Sequence, residues 1–339
     1  MSVSATKPAL GSLMKDRDPS LDFSKGILVE VMMIFHGVQY FADPRHPILN
    51  YLAFVTGAFV FLAGSVITEI YLARPIVDRA RIFIRLLWRS LKMLLLFSTI
   101  NILFHLLIGP PTDRHGITAL ASSVREIFGT GNKSMVAYEM LVPIAYTLVA
   151  SSVIALLIRS KAQVAIVAVA VFVMVTLHFS ESFNLRFLGL GILGMSYGLL
   201  KDIRQRPVEG DFMAVTALLL TFCYFLTIVW FAQDTPWIYA VGVVAIVELI
   251  REIRLRCSLP SIAIYFFEQF GRYSLFGYIS QIVFFRALLA VVGHHNKSEL
   301  TAALSILLCN AVIFTAIAVI ISRRRQISWF DRVYRAVLA

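Results

Sequence analysis

Lys25 and His36 stand eleven residues apart in one apolar stretch, Leu21-Asp22-Phe23-Ser24-Lys25-Gly26-Ile27-Leu28-Val29-Glu30-Val31-Met32-Met33-Ile34-Phe35-His36-Gly37. On an α-helix that spacing is about 1100°, roughly 20° from whole turns, so both side chains fall on one face about 16 Å apart along the axis. An imidazole titrates near neutral pH and suits a general base or a nucleophile. A cation on the same face can hold an anion or stabilise developing negative charge. Glu30 lies between them, about 140° round from Lys25, and is expected to pair with another helix. The plain alternatives are a lysine snorkelling to headgroups and a histidine hydrogen-bonded between helices.

Other polar groups sit within or at the edges of apolar segments: Glu69, Asn101, His105, Glu139, His178, Glu248, Gln281, Arg286 and Asn310. Asn101 and His105 are i,i+4 neighbours on one face. Taken singly, each reads first as a helix–helix hydrogen bond. A carboxylate that orients the His36 ring would be Glu30, Glu139 or Glu69.

These residues need a membrane scaffold. Of 339 residues 59% are apolar and only 15% are charged, and the mean hydropathy is +0.80. That composition excludes an ordinary soluble enzyme, a disordered chain and a disulfide scaffold. Cys223, Cys257 and Cys309 are dispersed and form neither a disulfide framework nor a metal motif. About ten apolar segments run roughly over 23–41, 48–72, 88–109, 135–158, 162–179, 185–200, 211–231, 236–250, 261–292 and 300–321, most of them near the length a bilayer core requires. The stretch 261–292 is interrupted at Gln269-Phe270-Gly271-Arg272, so its start is read as interfacial. The expected fold is all-α, a polytopic bundle of about ten transmembrane helices with both termini cytoplasmic. With that orientation 22 Lys and Arg fall on the inner side and 6 on the outer, as the positive-inside rule asks. The net charge of +11 is therefore an orientation signal rather than a nucleic-acid footprint. Residues 1–22 form a cytoplasmic tail, 23–321 a single membrane domain and 322–339 a basic cytoplasmic tail. The outer loop 109–134 has the length to cover a cavity.

The first span resembles the integral-membrane acyltransferases of the acyltransferase-3 type, relatives of heparan-glucosaminide acetyltransferase-like and glucan-succinylation membrane proteins. Their opening Leu-Asp-x-x-Arg/Lys-Gly stretch, with a histidine eleven residues after the basic residue, maps onto Leu21, Asp22, Lys25, Gly26 and His36. Phe59-Val60-Phe61-Leu62-Ala63-Gly64-Ser65 is similar to the Phe-rich segment of the second span. Arg79, Arg81, Arg85 and Arg89 resemble the Arg-rich stretch that follows, and Gly271 to Gln281 resembles a Gly-x-x-Ser-Leu-x-x-Tyr motif. Lysine replaces the more usual arginine at 25, and Gln281 stands where many members have histidine. Glu139, in Val136-Ala137-Tyr138-Glu139, stands in for the family's glutamate, without its tryptophan motif.

The resemblance implies transfer of an acyl group, acetyl or similar, from a cytoplasmic acyl-CoA to a hydroxyl of a carbohydrate or cell-surface glycan, with no metal. His36 would be the base or acyl carrier, Lys25 the holder of donor charge, Glu30 or Glu139 the orienting carboxylate, and Arg79, Arg81, Arg85 and Arg89 a patch for donor phosphates. The alternative for that patch is anionic lipid. Membrane lipid and polysaccharide-assembly proteins are the expected partners, and the bacterial inner membrane the expected location. A competing class is a transporter or flippase for a glycan or lipid-linked precursor, which scattered intramembrane charges would suit; matched pairs of broken helices, its usual mark, are not evident. A third is a non-catalytic partner of a polysaccharide-assembly machine, in which Lys25 and His36 would be replaceable.

Overall fold

Asp18 accepts the backbone N–H of Ser20 at 2.9 Å, and Pro19 occupies the first helical position. A side-chain cap and a pre-set φ thus start the first helix where the apolar run begins. The computed structural model describes residues 18–43, 45–72, 79–107, 124, 126–131, 140–157, 160–178, 182–199, 207–230, 236–293 and 298–337. Among them there is no strand. The elements are α1 (Pro19–Phe41), α2 (Ile48–Leu52), α3 (Phe54–Ile67, closed by a π-turn at Thr68–Leu72), α4 (Arg79–Leu107), α5 (Leu141–Leu157), α6 (Lys161–His178) and α7 (Phe183–Leu199). They continue with α8 (Pro207–Trp230), α9 (Pro236–Arg256), α10 (Ser261–Arg272), α11 (Ser274–Val292), α12 (Glu299–Gln326) and α13 (Ser328–Val337).

Four stretches among the described residues are long and apolar enough to cross a membrane: Ile48–Leu72, Arg79–Leu103, Ser274–Val292 and Glu299–Gln326. Shorter apolar helices cover Leu141–Leu157, Ala162–Met174 and Phe212–Ile228. Phe212, Leu219 and Phe222 on α8, and Leu300, Leu304 and Leu307 on α12, are exposed. Apolar side chains turned outward over whole helices are the mark of a membrane protein.

Two helices organise the bundle. α3 packs against α1, α5, α7 and α9, and α1 packs against α3, α9, α10, α11 and α12. Between helices in hydrocarbon the hydrophobic effect offers little, so close backbone approach and buried hydrogen bonds must hold the contact. The α3–α7 seam is built that way: a Cβ on Gly64 would strike the carbonyl oxygen of Gly191, and one on Gly194 would strike that of Phe61. Gly64→Ala should therefore force the two helices apart. We expect a loss of about 1–3 kcal/mol, seen as a lower midpoint in thermal unfolding of the purified protein in detergent. A midpoint equal to wild type would mean that the seam is looser than described.

The α1–α10 seam is as tight. A Cβ on Gly26 would meet the carbonyl of Phe267, and one on Gly271 would meet that of Asp22. The long segment 261–292 breaks at Tyr273 (φ −107°, ψ 24°), one residue after the stretch singled out in the sequence. The N-terminus of α12 is tied to the end of α1, because the Ser298 N–H donates to the Phe41 carbonyl at 2.9 Å. Its Ser298 hydroxyl caps Thr301 N–H at 3.1 Å.

Candidate functional site

α1 is continuous from Pro19 to Phe41, so the Lys25-to-His36 spacing is a true helical spacing. At its N-terminal end Asp22 is buried between two cations: Lys25 Nζ lies 3.9 Å from one carboxylate oxygen and Arg272 Nε 3.7 Å from the other. The Lys25 side chain is only 13% exposed. It faces the bundle, whereas a snorkelling lysine would be largely exposed.

At the other end His36 is half-buried. Its Nδ1 lies 3.2 Å from Gln39 Oε1, three residues on along the same helix. This contact engages the Nδ1 edge of the ring along its own helix and leaves the Nε2 edge turned away from Gln39. Nε2 makes no hydrogen bond among the described residues. The ring is flanked edge-on by Phe35 at 5.4 Å and tilted against Tyr40 at 6.3 Å. Arg286 Nε of α11 donates to the Tyr40 hydroxyl at 3.2 Å, and its guanidinium is within electrostatic reach of the imidazole.

Glu30 pairs with another helix: Asn310 Nδ2 of α12 donates to Glu30 Oε2 at 3.0 Å. The structure thus gives the His36 ring an amide orienter, Gln39, while Glu30 is engaged by α12. Glu69 lies in the π-turn that closes α3, at the end of that helix remote from its junction with α1. Glu139 lies outside the described residues, as do most of loop 109–134 and the side chains of His105 and His178. From that loop, residues 126–131 are docked, with Asn184 Nδ2 donating to the Ile127 carbonyl at 2.8 Å.

The arginines at the start of α4 divide. Arg89 is half-buried and donates to the Tyr71 hydroxyl at 3.0 Å with its guanidinium over the ring. Arg81 and Arg85 are exposed beside exposed Ile84 and Trp88, and Arg79 is half-buried. A basic and apolar outer face of this kind suits lipid headgroups as well as a soluble anion.

One cluster escaped the sequence reading. Tyr197 of α7 donates to Glu248 of α9, and Arg251 reaches Glu248 at 2.8 Å and Glu252 at 3.3 Å. Arg256 Nε donates to the other Glu252 oxygen at 2.5 Å. Glu248, Arg251 and Glu252 are all buried. Arg251 also feels the charge of Asp18, which places this network at the same end of the bundle as Asp22 and Lys25. The i, i+3, i+4, i+8 spacing of 248, 251, 252 and 256 was the available signal, since it puts all four on one helix face. Gln281 of α11 is fully buried, and neither side-chain polar atom has a hydrogen-bond partner among the described residues.

Comparison with protein-family models, curated proteins and solved structures returns no match.

Proposed function

We propose that this protein is a membrane-embedded acyltransferase that moves an acyl group from a cytoplasmic acyl-CoA to a hydroxyl of a carbohydrate or cell-surface glycan. The observation that carries the reading is the pair of ends of α1: an inward-facing Lys25 beside Asp22 and Arg272, and an imidazole on the same helix whose Nε2 makes no hydrogen bond among the described residues. In this reading Nε2 takes the proton of the acceptor hydroxyl as its oxygen attacks the thioester carbonyl. The C–S bond breaks, and the coenzyme A thiolate leaves and recovers the proton from the imidazolium. Alternatively Nε2 attacks first and carries the acyl group in a two-step transfer. Lys25 holds anionic donor groups, and the exposed Arg81 and Arg85 gather the donor's phosphates by charge.

The proposal includes about ten spans, with both termini in the cytoplasm of a bacterial inner membrane. Its orientation rests on the 22-to-6 distribution of Lys and Arg between the two sides. Mass spectrometry of surface glycans from cells with and without the gene tests the activity. The glycans of cells that carry it should be heavier by whole acyl units, and that increment should vanish in the deletion. Identical spectra from the two strains would reject the assignment.

A further inference from the structure

We propose that the hinge between α12 and α13 is a binding site for the phosphate headgroup of an anionic phospholipid. It rests on α12 crossing the membrane and is independent of the acyltransferase reading.

α12 ends in Arg323-Arg324-Arg325, and α13 begins two residues beyond Gln326. Between them opens a cleft of 480 Å³ lined by Arg324, Arg325, Gln326, Ser328, Asp331 and Arg332. Three guanidiniums face one carboxylate there, and that carboxylate is already engaged, with Arg324 Nε donating to Asp331 Oδ1 at 2.7 Å. Arg324 is further fixed by a 3.1 Å bond to the Tyr273 hydroxyl and by stacking 4.5 Å above the Tyr334 ring. Burial pushes the Tyr334 phenol up to about 12, so it stays a neutral partner for that stack across the physiological range. Arg325 and Arg332 are exposed and make no hydrogen bond or ion pair among the described residues. The cleft therefore has a rigid floor and two uncommitted guanidiniums at its rim, which is the donor set a phosphate takes.

The surroundings identify a lipid as the source of that phosphate. On α13 Trp329, Phe330 and Tyr334 share one side, and Asp331 and Arg332 the other. Tyr334 docks against Tyr273 at 5.6 Å, while Trp329 stays 59% exposed. An exposed tryptophan on a short two-faced helix, directly after the basic end of a 28-residue apolar helix, is the arrangement of an interfacial anchor. A headgroup in the cleft would leave its acyl chains beside α12 and Trp329.

The test uses the full-length protein in neutral detergent, with phosphatidylglycerol or phosphatidylcholine titrated in and retention read by native mass spectrometry. Wild type should retain phosphatidylglycerol in preference to phosphatidylcholine. The double substitution Arg325→Gln with Arg332→Gln should lower that retention by about thirtyfold, the combined effect of the roughly fivefold attraction that each arginine offers an anionic lipid. Arg323→Gln, outside the cleft, should behave as wild type. Both residues of the double variant are exposed, and an unchanged thermal midpoint without lipid confirms its fold. Equal phosphatidylglycerol retention by the double variant and wild type would overturn the proposal. So would displacement of the lipid by millimolar inorganic phosphate at matched ionic strength, because the cleft would then belong to a soluble anion.

Discussion

His36→Ala is expected to lower acyl transfer by about a hundred- to ten-thousandfold, the range lost when a positioned general base is removed. The protein should still reach the membrane in wild-type amounts. The ring is half-buried, and its single hydrogen bond runs to exposed Gln39 on the same helix, so its removal strands no polar group between helices. The measurement is transfer of labelled acyl groups from acyl-CoA to glycan acceptor in membranes matched for protein content. Retained turnover would reject both the base and the carrier role. A variant that failed to accumulate would instead point to a packing role, which the geometry around the ring argues against.

The second large effect is structural. Arg251→Met removes the cation that Glu248 and Glu252 share; Glu252 keeps Arg256, while Glu248 stays buried with its guanidinium partner gone. Taking one partner out of a buried ion network costs about 3–5 kcal/mol, because a desolvated charge is left uncompensated. The variant should show a much lower unfolding midpoint in detergent and reduced accumulation in cells. Replacing all three charges together, as Glu248→Leu, Arg251→Met and Glu252→Leu, should restore most of the loss, since an apolar set of similar volume avoids the desolvation penalty. A single variant as stable as wild type would show that these side chains are more hydrated than their burial states.

Hydropathy located the helices well because a bilayer core demands a long apolar run from every element that crosses it. The segment expected at 300–321 is α12, Glu299–Gln326, and the one expected at 185–200 is α7, Phe183–Leu199. Boundaries drifted where charge continues a helix. α4 is already helical at Arg79, nine residues before the apolar run at 88, since arginine is a good helix former however polar. α9 runs on to Arg256 for the same reason. That extension hid the Tyr197–Glu248–Arg251–Glu252 network: charges beyond an apolar run read as loop, and their burial depends on α1 packing against α9 and on Tyr197 reaching Glu248 from α7. The α1 face was legible because Lys25 and His36 lie on one continuous helix. The Glu30–Asn310 bond joins residues 280 positions apart, and local periodicity has no access to such a pairing.

Where Gly26 and Gly271 let α1 and α10 touch main chain to main chain, the joint has no slack. The two rods can neither slide past nor roll over one another without a carbonyl meeting an α-carbon. Around Arg272 the spacing of α10 from α1 is set by main chain on both sides, with no side chain between them to rearrange. A methyl group gained at either position demands a wider gap between the rods, so Gly26 and Gly271 each set the same spacing from opposite sides of the joint.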